Sequence, residues 1–233
     1  MKKAAYLLLS LLILACGNEQ HDLTVKVHVN GLKKGVLYLK KVKNDNLITV
    51  DTVAVNGQPD VTLRAATLES PEVFYLFLDK NSSEKDQIAF FADKGITEIT
   101  TSVKNFGYEA KINGSEQQKI YEEYKVMRSR FNDQNLNLIK ERFEALQQGD
   151  TSKSNAIQKK SDGNLKHRYL FTVNFALNHK DSEVAPYLAL TEIYNAKVKF
   201  LDTINNSLTP KVKASKYGKK LQEFIDDIKK TEE

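Results

Sequence analysis

The sequence predicts an α+β protein, in which an antiparallel β-sandwich or barrel comes first and a helical domain follows. Two observations carry this prediction. Between residues 23 and 112, short apolar runs mostly have a period of two and are separated by turn signals, which is typical of strands. After Asn113-Gly114 the apolar period becomes helical. Because the strands all precede the helices, a doubly wound parallel sheet is not expected.

The strands follow from alternation and turn signals. Leu23, Val25, Val27 and Val29 alternate with polar residues, which indicates a half-buried strand. Asn56-Gly57 predicts a hairpin, so the strand at 61–65 is expected to pair back on the one before it. Residues 73–78 are apolar on both faces, so this strand should be central and covered on both sides. Further strands are expected at 36–42, 47–55, 88–92, 96–103 and 108–112.

The helices begin with a capping signal. Ser115 is the expected N-cap and Gln118 the other half of a capping box. One long helix should end near Gly149, and a loop should follow at 149–154. In its second half the apolar pattern continues with a phase slip that a bend can absorb, at Leu136, Ile139, Phe143 and Leu146. Further helices are expected at 154–178, 182–194, 196–207 and around 217–228.

The first residues indicate secretion. Lys2 and Lys3 precede an apolar stretch at 4–15, which is too short to span a membrane and has the length of a signal peptide. The sequence 13–16, Ile-Leu-Ala-Cys, resembles a bacterial lipobox. The resemblance implies cleavage between Ala15 and Cys16 and fatty acylation of Cys16, with palmitate among the acyl chains. The alternative is an ordinary signal peptide followed by a chance cysteine.

These patterns divide the chain into a signal peptide at 1–15, a lipid-anchored tether at 16–22, a β domain at 23–113 and a helical domain at 114–233. Residues 17–19 differ from the Asp-rich signal for surface export and from the inner-membrane retention signal. We therefore expect an outer-membrane lipoprotein that faces the periplasm.

The composition excludes several kinds of chemistry. Cys16 is the only cysteine, so the folded part can form no internal disulfide, thiol nucleophile or Cys-ligated metal site. The 35 basic and 30 acidic residues are interleaved, which indicates a solvated surface rather than a nucleic-acid interface.

Several segments resemble a domain of unknown function from envelope proteins of Bacteroidota. The likeness lies in residues 36–39, 51–53, 56–57, 71–76, 112–115, 178–182 and 215–219. In that family the β domain typically precedes a helical segment and then a thioredoxin-like domain of the TlpA or peroxiredoxin type. This sequence contains no Cys-x-x-Cys, so the resemblance does not carry an oxidoreductase activity over to it.

Side chains with chemical potential are better explained as structural. The histidines (His21, His28, His167 and His179) lack metal-ligand spacing. Adjacent carboxylates at 122–123 and 226–227 point about 100° apart on a helix. The aromatic residues at 74–77 and 90–91, together with Tyr121 and Tyr124, fit a core better than a stacking platform. No catalytic residue, metal site or cofactor is therefore expected, and a hydrolase would need converging carboxylates or a Ser-His pair.

These observations favour a non-catalytic envelope binding module, anchored to the membrane through Cys16, with an envelope protein as its partner. The alternative is an accessory protein that docks a separate thioredoxin-like partner in thiol-disulfide or peroxide metabolism.

Overall fold

The computed structural model of the protein describes residues 21–66, 68–79 and 86–232. The signal peptide, the cleavage site at Ala15, the lipidation site at Cys16 and most of the tether lie outside these residues. Within them, none of the helices is both long enough and apolar enough to cross a membrane.

In the described residues, eight strands form two four-stranded sheets, which confirms the sandwich and rules out a closed barrel. The first sheet has the order β4-β1-β7-β8 and the second the order β3-β2-β5-β6. Neighbouring strands are antiparallel except for β1 and β7, which are parallel. The strands are β1 (Leu23–Asn30), β2 (Lys34–Lys43), β3 (Asn46–Asn56), β4 (Asp60–Ala65), β5 (Glu72–Asp79), β6 (Asp86–Ala92), β7 (Gly95–Ser102) and β8 (Lys111–Asn113).

The hairpin predicted at Asn56-Gly57 is wrong. Strand β4 pairs with β1 in the first sheet instead of with β3 in the second, so Val25 lies opposite Leu63. Gly57 has a φ of +100°, and its N–H donates to the Lys33 carbonyl at 2.8 Å. The turn therefore carries the chain from one sheet to the other. The turn sequence alone does not predict the partner of β4, because an alternating strand can bury its apolar face in either sheet of a sandwich.

The strand predicted at 108–112 is also displaced. Strand β8 covers only Lys111–Asn113, and Tyr108 lies in a turn with its side chain almost fully exposed. Apolar alternation stabilises a strand only where the apolar side chains are buried. The exposed Tyr108 contributes no such burial, so the apolar pattern around it was misleading.

Strand β5 is covered on both faces, as its sequence predicts. Phe74, Leu76 and Leu78 face the sandwich core together with the apolar side chains of β1. Val73 faces the opposite way and packs against the helices. The helices therefore form a third layer on the outer face of the second sheet.

Within residues 86–232, six helices follow the strands. The first begins after Ser115, whose side chain accepts the Gln118 N–H at 3.2 Å. The loop predicted at 149–154 is wrong, because Asp150 caps the next helix by accepting the Lys153 N–H at 2.8 Å. Neither this N-cap nor the short helix α5 was predicted from the sequence. The helices are α1 (Glu116–Gln147), α2 (Thr151–Asn178), α3 (Val184–Glu192), α4 (Val198–Ser207), α5 (Pro210–Lys213) and α6 (Lys216–Glu232).

Candidate functional site

The most unusual surface of the described chain lies on the second half of α1. Four large apolar side chains are exposed there by 63% (Leu136), 55% (Ile139), 60% (Phe143) and 55% (Leu146). Scattered apolar side chains are normal on a protein surface, whereas a continuous set marks an interaction site. We call these four residues the α1 seam.

The spacing of the α1 seam is that of a coiled-coil heptad. The steps of three, four and three residues place Leu136 and Phe143 at positions a, and Ile139 and Leu146 at positions d. At 100° per residue the four positions span about 80° of the helix surface. They form one narrow ridge along α1.

The opposite side of the same helix stretch is already occupied. Leu138 and Ala145 are buried and form a small cluster with Ile157 of α2. The two helices run as an antiparallel hairpin joined by Gln148, Gly149 and Asp150. The α1 seam therefore faces away from its own hairpin partner, and no bend returns it to the core.

Two basic side chains flank the α1 seam. Lys140 occupies heptad position e and Arg142 position g, and both are exposed. Neither forms an ion pair with any described residue. The acidic residues of the same stretch, Glu141 and Glu144, occupy positions f and b, which are farther from the apolar ridge.

The sequence predicted these apolar positions but not their exposure. Helical periodicity identifies which side chains share a face, and it does not say whether the protein covers that face. The usable signal was the phase slip, because Tyr124, which packs between the second sheet and the helices, lies about 80° around the helix from the centre of the later apolar set.

A second, weaker candidate lies on the outer face of the first sheet. A shallow depression is lined there by side chains of β1, β4 and β7. His28 Nδ1 lies 2.7 Å from Asp60 Oδ1, and Lys26 Nζ lies 3.5 Å from Glu98 Oε1. All four side chains are more than a third exposed, which is typical of a solvated sheet face with ordinary ion pairs.

The other histidines are not brought together. His179 packs against the ring of Phe175, with their centroids 4.4 Å apart. His167 is exposed on α2 and His21 precedes β1. Within residues 21–66, 68–79 and 86–232, no group of three His, Cys, Asp or Glu side chains could hold a metal ion.

The adjacent carboxylates serve local contacts. Glu122 pairs with Lys125 at 2.7 Å, and Asp227 pairs with Lys230 at 3.1 Å. Asp226 instead accepts a hydrogen bond from the Gln222 amide at 2.8 Å. These carboxylates do not converge on a common point.

The aromatic residues weighed in the sequence analysis lie mainly in the core. Phe74, Phe90 and Phe91 are fully buried. Phe91 stacks edge-on with Tyr121, Tyr187 and Tyr217, at centroid distances of 5.5, 5.0 and 6.0 Å. Tyr75 and Phe77 are only partly buried. Burial raises the pKa of Tyr124 to about 12, so this hydroxyl remains protonated in the packed layer.

A buried ion cluster joins the strands to the last helix. Glu72 of β5 is buried and pairs with Lys41 at 2.8 Å and with Lys216 of α6. The Tyr217 hydroxyl accepts the Val73 N–H at 2.9 Å. Burial raises the pKa of Tyr217 above its usual range. Because every partner is satisfied within the interface, these residues hold the helices to the second sheet and offer no reactive group.

Comparison with protein families identifies a match that covers the strands. Residues 23–121 match the model of a domain of unknown function (DUF4369). The match covers all eight strands and the start of α1, and excludes the α1 seam. No curated protein sequence matches the chain.

Two solved structures resemble part of the chain. Sea bream transthyretin, solved in complex with thyroxine, is 13% identical, with a TM-score of 0.30; the match covers 41% of this chain and 97% of transthyretin. Klebsiella pneumoniae 5-hydroxyisourate hydrolase is 13% identical, with a TM-score of 0.27, over 41% of this chain and 95% of the hydrolase. At these scores the likeness carries no argument about function.

Proposed function

We propose that this protein is a lipid-anchored, non-catalytic interaction module of a bacterial envelope, and that it binds a protein partner through the α1 seam. One observation carries the proposal. Four large apolar side chains form a continuous ridge at the part of the helical hairpin where nothing in the described chain covers them. Exposed apolar surface is costly to keep in water, so a partner that covers it would be stabilised by the contact.

The position of the α1 seam supports this role. It lies on the second half of α1. Its first residue, Leu136, is about 30 Å along the helix from Glu116, at 1.5 Å per residue. The anchoring interactions with the second sheet are made at the start of α1, through Ser115 and Gln118. A surface held at this distance from the sandwich is accessible to another protein.

The membrane part of the proposal rests on sequence. The lipobox resemblance at residues 13–16 supports acylation of Cys16, and the sequence of residues 17–19 supports a location at the outer membrane, facing the periplasm. The match of residues 23–121 to a domain of unknown function is consistent with the likeness to Bacteroidota envelope proteins.

Site-specific photo-crosslinking in intact cells tests the interaction. A photoreactive phenylalanine analogue replaces Phe143 in the full chain, expressed at its native level. The matched control places the same analogue at Tyr194, which is similarly exposed, by 56%, but lies outside the α1 seam. We expect one discrete heterologous adduct from position 143 and none from position 194. Absence of an adduct at 143, or the same products from both positions, would contradict the proposal.

A second candidate is an accessory role with a thioredoxin-like protein. The family resemblance favours it, because segment 215–219 resembles the sequence that leads into the redox domain of complete members. Two of its residues are already engaged with β5, since Lys216 pairs with Glu72 and Tyr217 bonds Val73. Identification of a thioredoxin-like protein in the position-143 adduct, or in a neighbouring gene, would favour this candidate over an unrelated partner.

A further inference from the structure

We infer that the α1 seam binds an acidic amphipathic helix of the partner, which packs on α1 in coiled-coil fashion. This inference rests on the proposed function and specifies the chemistry of the partner. It follows from three features of the surface: its spacing, its width and the charges at its edges.

The spacing and width fit a helix. Leu136, Ile139, Phe143 and Leu146 follow the 3.5-residue repeat that lets two helices interdigitate over successive turns. The ridge spans about 80° of the helix surface, whereas a helix that lies in a membrane surface presents a broader apolar face. The flanks are also of mixed charge, since Glu141 and Glu144 lie in the same stretch as Lys140 and Arg142. A lipid surface is therefore a poorer occupant than another helix.

The charges at the edges of the α1 seam indicate the kind of partner helix that it binds. Residues at positions e and g face the partner across a coiled-coil interface, and here they are Lys140 and Arg142. If a second copy of the chain bound in antiparallel orientation, Lys140 would face Lys140 and Arg142 would face Arg142, because e pairs with e and g with g. In parallel orientation each g position pairs with the e position five residues further on, so Arg142 would meet Gln147 and Lys140 would meet Asn135, and neither cation would find an acidic partner. Acidic residues at the partner's e and g positions would instead pair with both cations.

Binding of designed peptides to the purified full-length protein tests this inference. The probes are two labelled three-heptad peptides with leucine and isoleucine at positions a and d. One carries glutamate at every e and g position, and the other carries lysine. We expect the acidic peptide to bind about tenfold more tightly at low salt, with the preference shrinking at about 0.5 M salt, where the Debye length falls to a few ångströms.

Variants separate the apolar and charged contributions. Phe143→Ser should abolish binding of the acidic peptide. Val126→Ser is the matched control, because Val126 is similarly exposed (55%) on the same helix but outside the α1 seam, and it should bind as the original protein does. The double variant Lys140→Glu with Arg142→Glu should prefer the basic peptide. Both side chains are exposed, so the fold is expected to tolerate this change.

Three results would overturn the inference. The first is equal binding of the two peptides, or no binding of either. The second is binding of the original protein, but not of Phe143→Ser, to vesicles of anionic phospholipid in place of the acidic peptide. The third is a dimer in sedimentation that is lost in Phe143→Ser. A discrete cellular adduct at position 143 without a preference for the acidic peptide would leave the proposed function standing and reject only this partner chemistry.

Discussion

Glu183 is a buried carboxyl in an unfavourable environment. It lies immediately before α3 and its side chain is almost fully buried. Its Oε2 atom has no hydrogen-bond partner. Burial raises the pKa of this carboxyl above its ordinary value, and the nearby Asp93 and Asp181 raise it further, against the opposing effects of a backbone hydrogen bond and Lys211.

This raised pKa makes the stability of the protein pH-dependent. The folded state holds the Glu183 proton more tightly than the unfolded state does, so the free energy of unfolding falls as the pH rises from the ordinary carboxyl value of 4.5 through the folded-state pKa. The destabilisation is complete above the folded-state pKa of Glu183 and disappears below pH 4.5, where the carboxyl is protonated in both states.

Glu183→Gln removes the ionisation. We expect it to raise the free energy of unfolding at pH 7 by about 1 kcal/mol, at the low end of the cost of an unsatisfied buried polar group. The gain should shrink as the pH is lowered toward 4. Urea denaturation across this pH range measures both effects. Glu223→Gln, at an exposed position on α6, should change little at any pH, and a pH-independent effect of Glu183→Gln would reject the explanation.

At the scale of elements, the start of α1 closes the edge of the second sheet. Strand β6 is an edge strand, and an edge strand exposes unpaired backbone groups that can recruit other chains. The Gln118 Oε1 atom accepts the Phe91 N–H at 2.7 Å, and Ser115 Oγ donates to the Phe91 carbonyl at 3.2 Å. The predicted capping box is therefore only half formed, because Gln118 binds the strand instead of its own helix start.

Gln118→Ala should be destabilising for this reason. Gln118 is 1% exposed, so its loss leaves the Phe91 N–H buried and unpaired, at a cost of about 1–3 kcal/mol. The midpoint of urea denaturation should fall with an unchanged slope. Gln134→Ala, at an exposed position of the same helix, is the control and should stay within about 0.5 kcal/mol of the original protein. Equal effects at the two positions would mean that the contact with β6 is unimportant.

The elements also show what the sequence can predict here. Alternation in β1 and the two-sided apolar run of β5 were sufficient to predict these strands and their buried faces, because each pattern reports burial directly. The partner of β4 was not predictable, since Gly57 permits the chain to turn toward either sheet. The site was half predictable: the residues of the α1 seam stand out by spacing, but only the packing of Leu138 and Ala145 on α2 shows that the seam faces solvent.

The structure explains why glycine is present in two of the segments that carry the family resemblance. Gly114 lies so close to Thr97 that a Cβ atom would come within 2.8 Å of its Oγ1 atom, and Gly218 lies so close to Val212 that a Cβ atom would come within 2.0 Å of its carbonyl oxygen. Gly114 lies at the junction of β8 and α1, and Gly218 in the first turn of α6. These motif residues therefore permit close approach of neighbouring segments, and they need no role in binding.

At the scale of the whole molecule, the second sheet lies between the first sheet and the helices and contacts both layers. The first sheet covers the inner face of the second sheet, and the helices cover its outer face through Phe91 and Val73. The ion cluster around Glu72 connects the same sheet to α6. The strands and helices therefore stabilise each other.

The proposed attachment to the membrane can be tested on the full chain. We expect Cys16→Ala to move the protein from the membrane to the soluble envelope fraction, because the anchoring acyl chains would have no thiol to attach to. Membrane fractionation, together with the mass of the mature N-terminal peptide, measures this change. The control is the protein with Cys16 in place, which should fractionate with membranes and carry acyl groups. Recovery of this protein in the soluble fraction without acyl groups would contradict the anchor.

The parallel pairing of β1 with β7 bears on mechanical load. Strand β1 is bonded along its length to β4 on one side and to β7 on the other, and it is the first strand after the proposed tether. When tension is applied to its beginning along the strand axis, many backbone hydrogen bonds share the strain at once instead of opening one after another. Survival under force is governed by the unfolding rate, so this arrangement would let a tethered protein resist pulling by a bound partner while its helical layer remains in place.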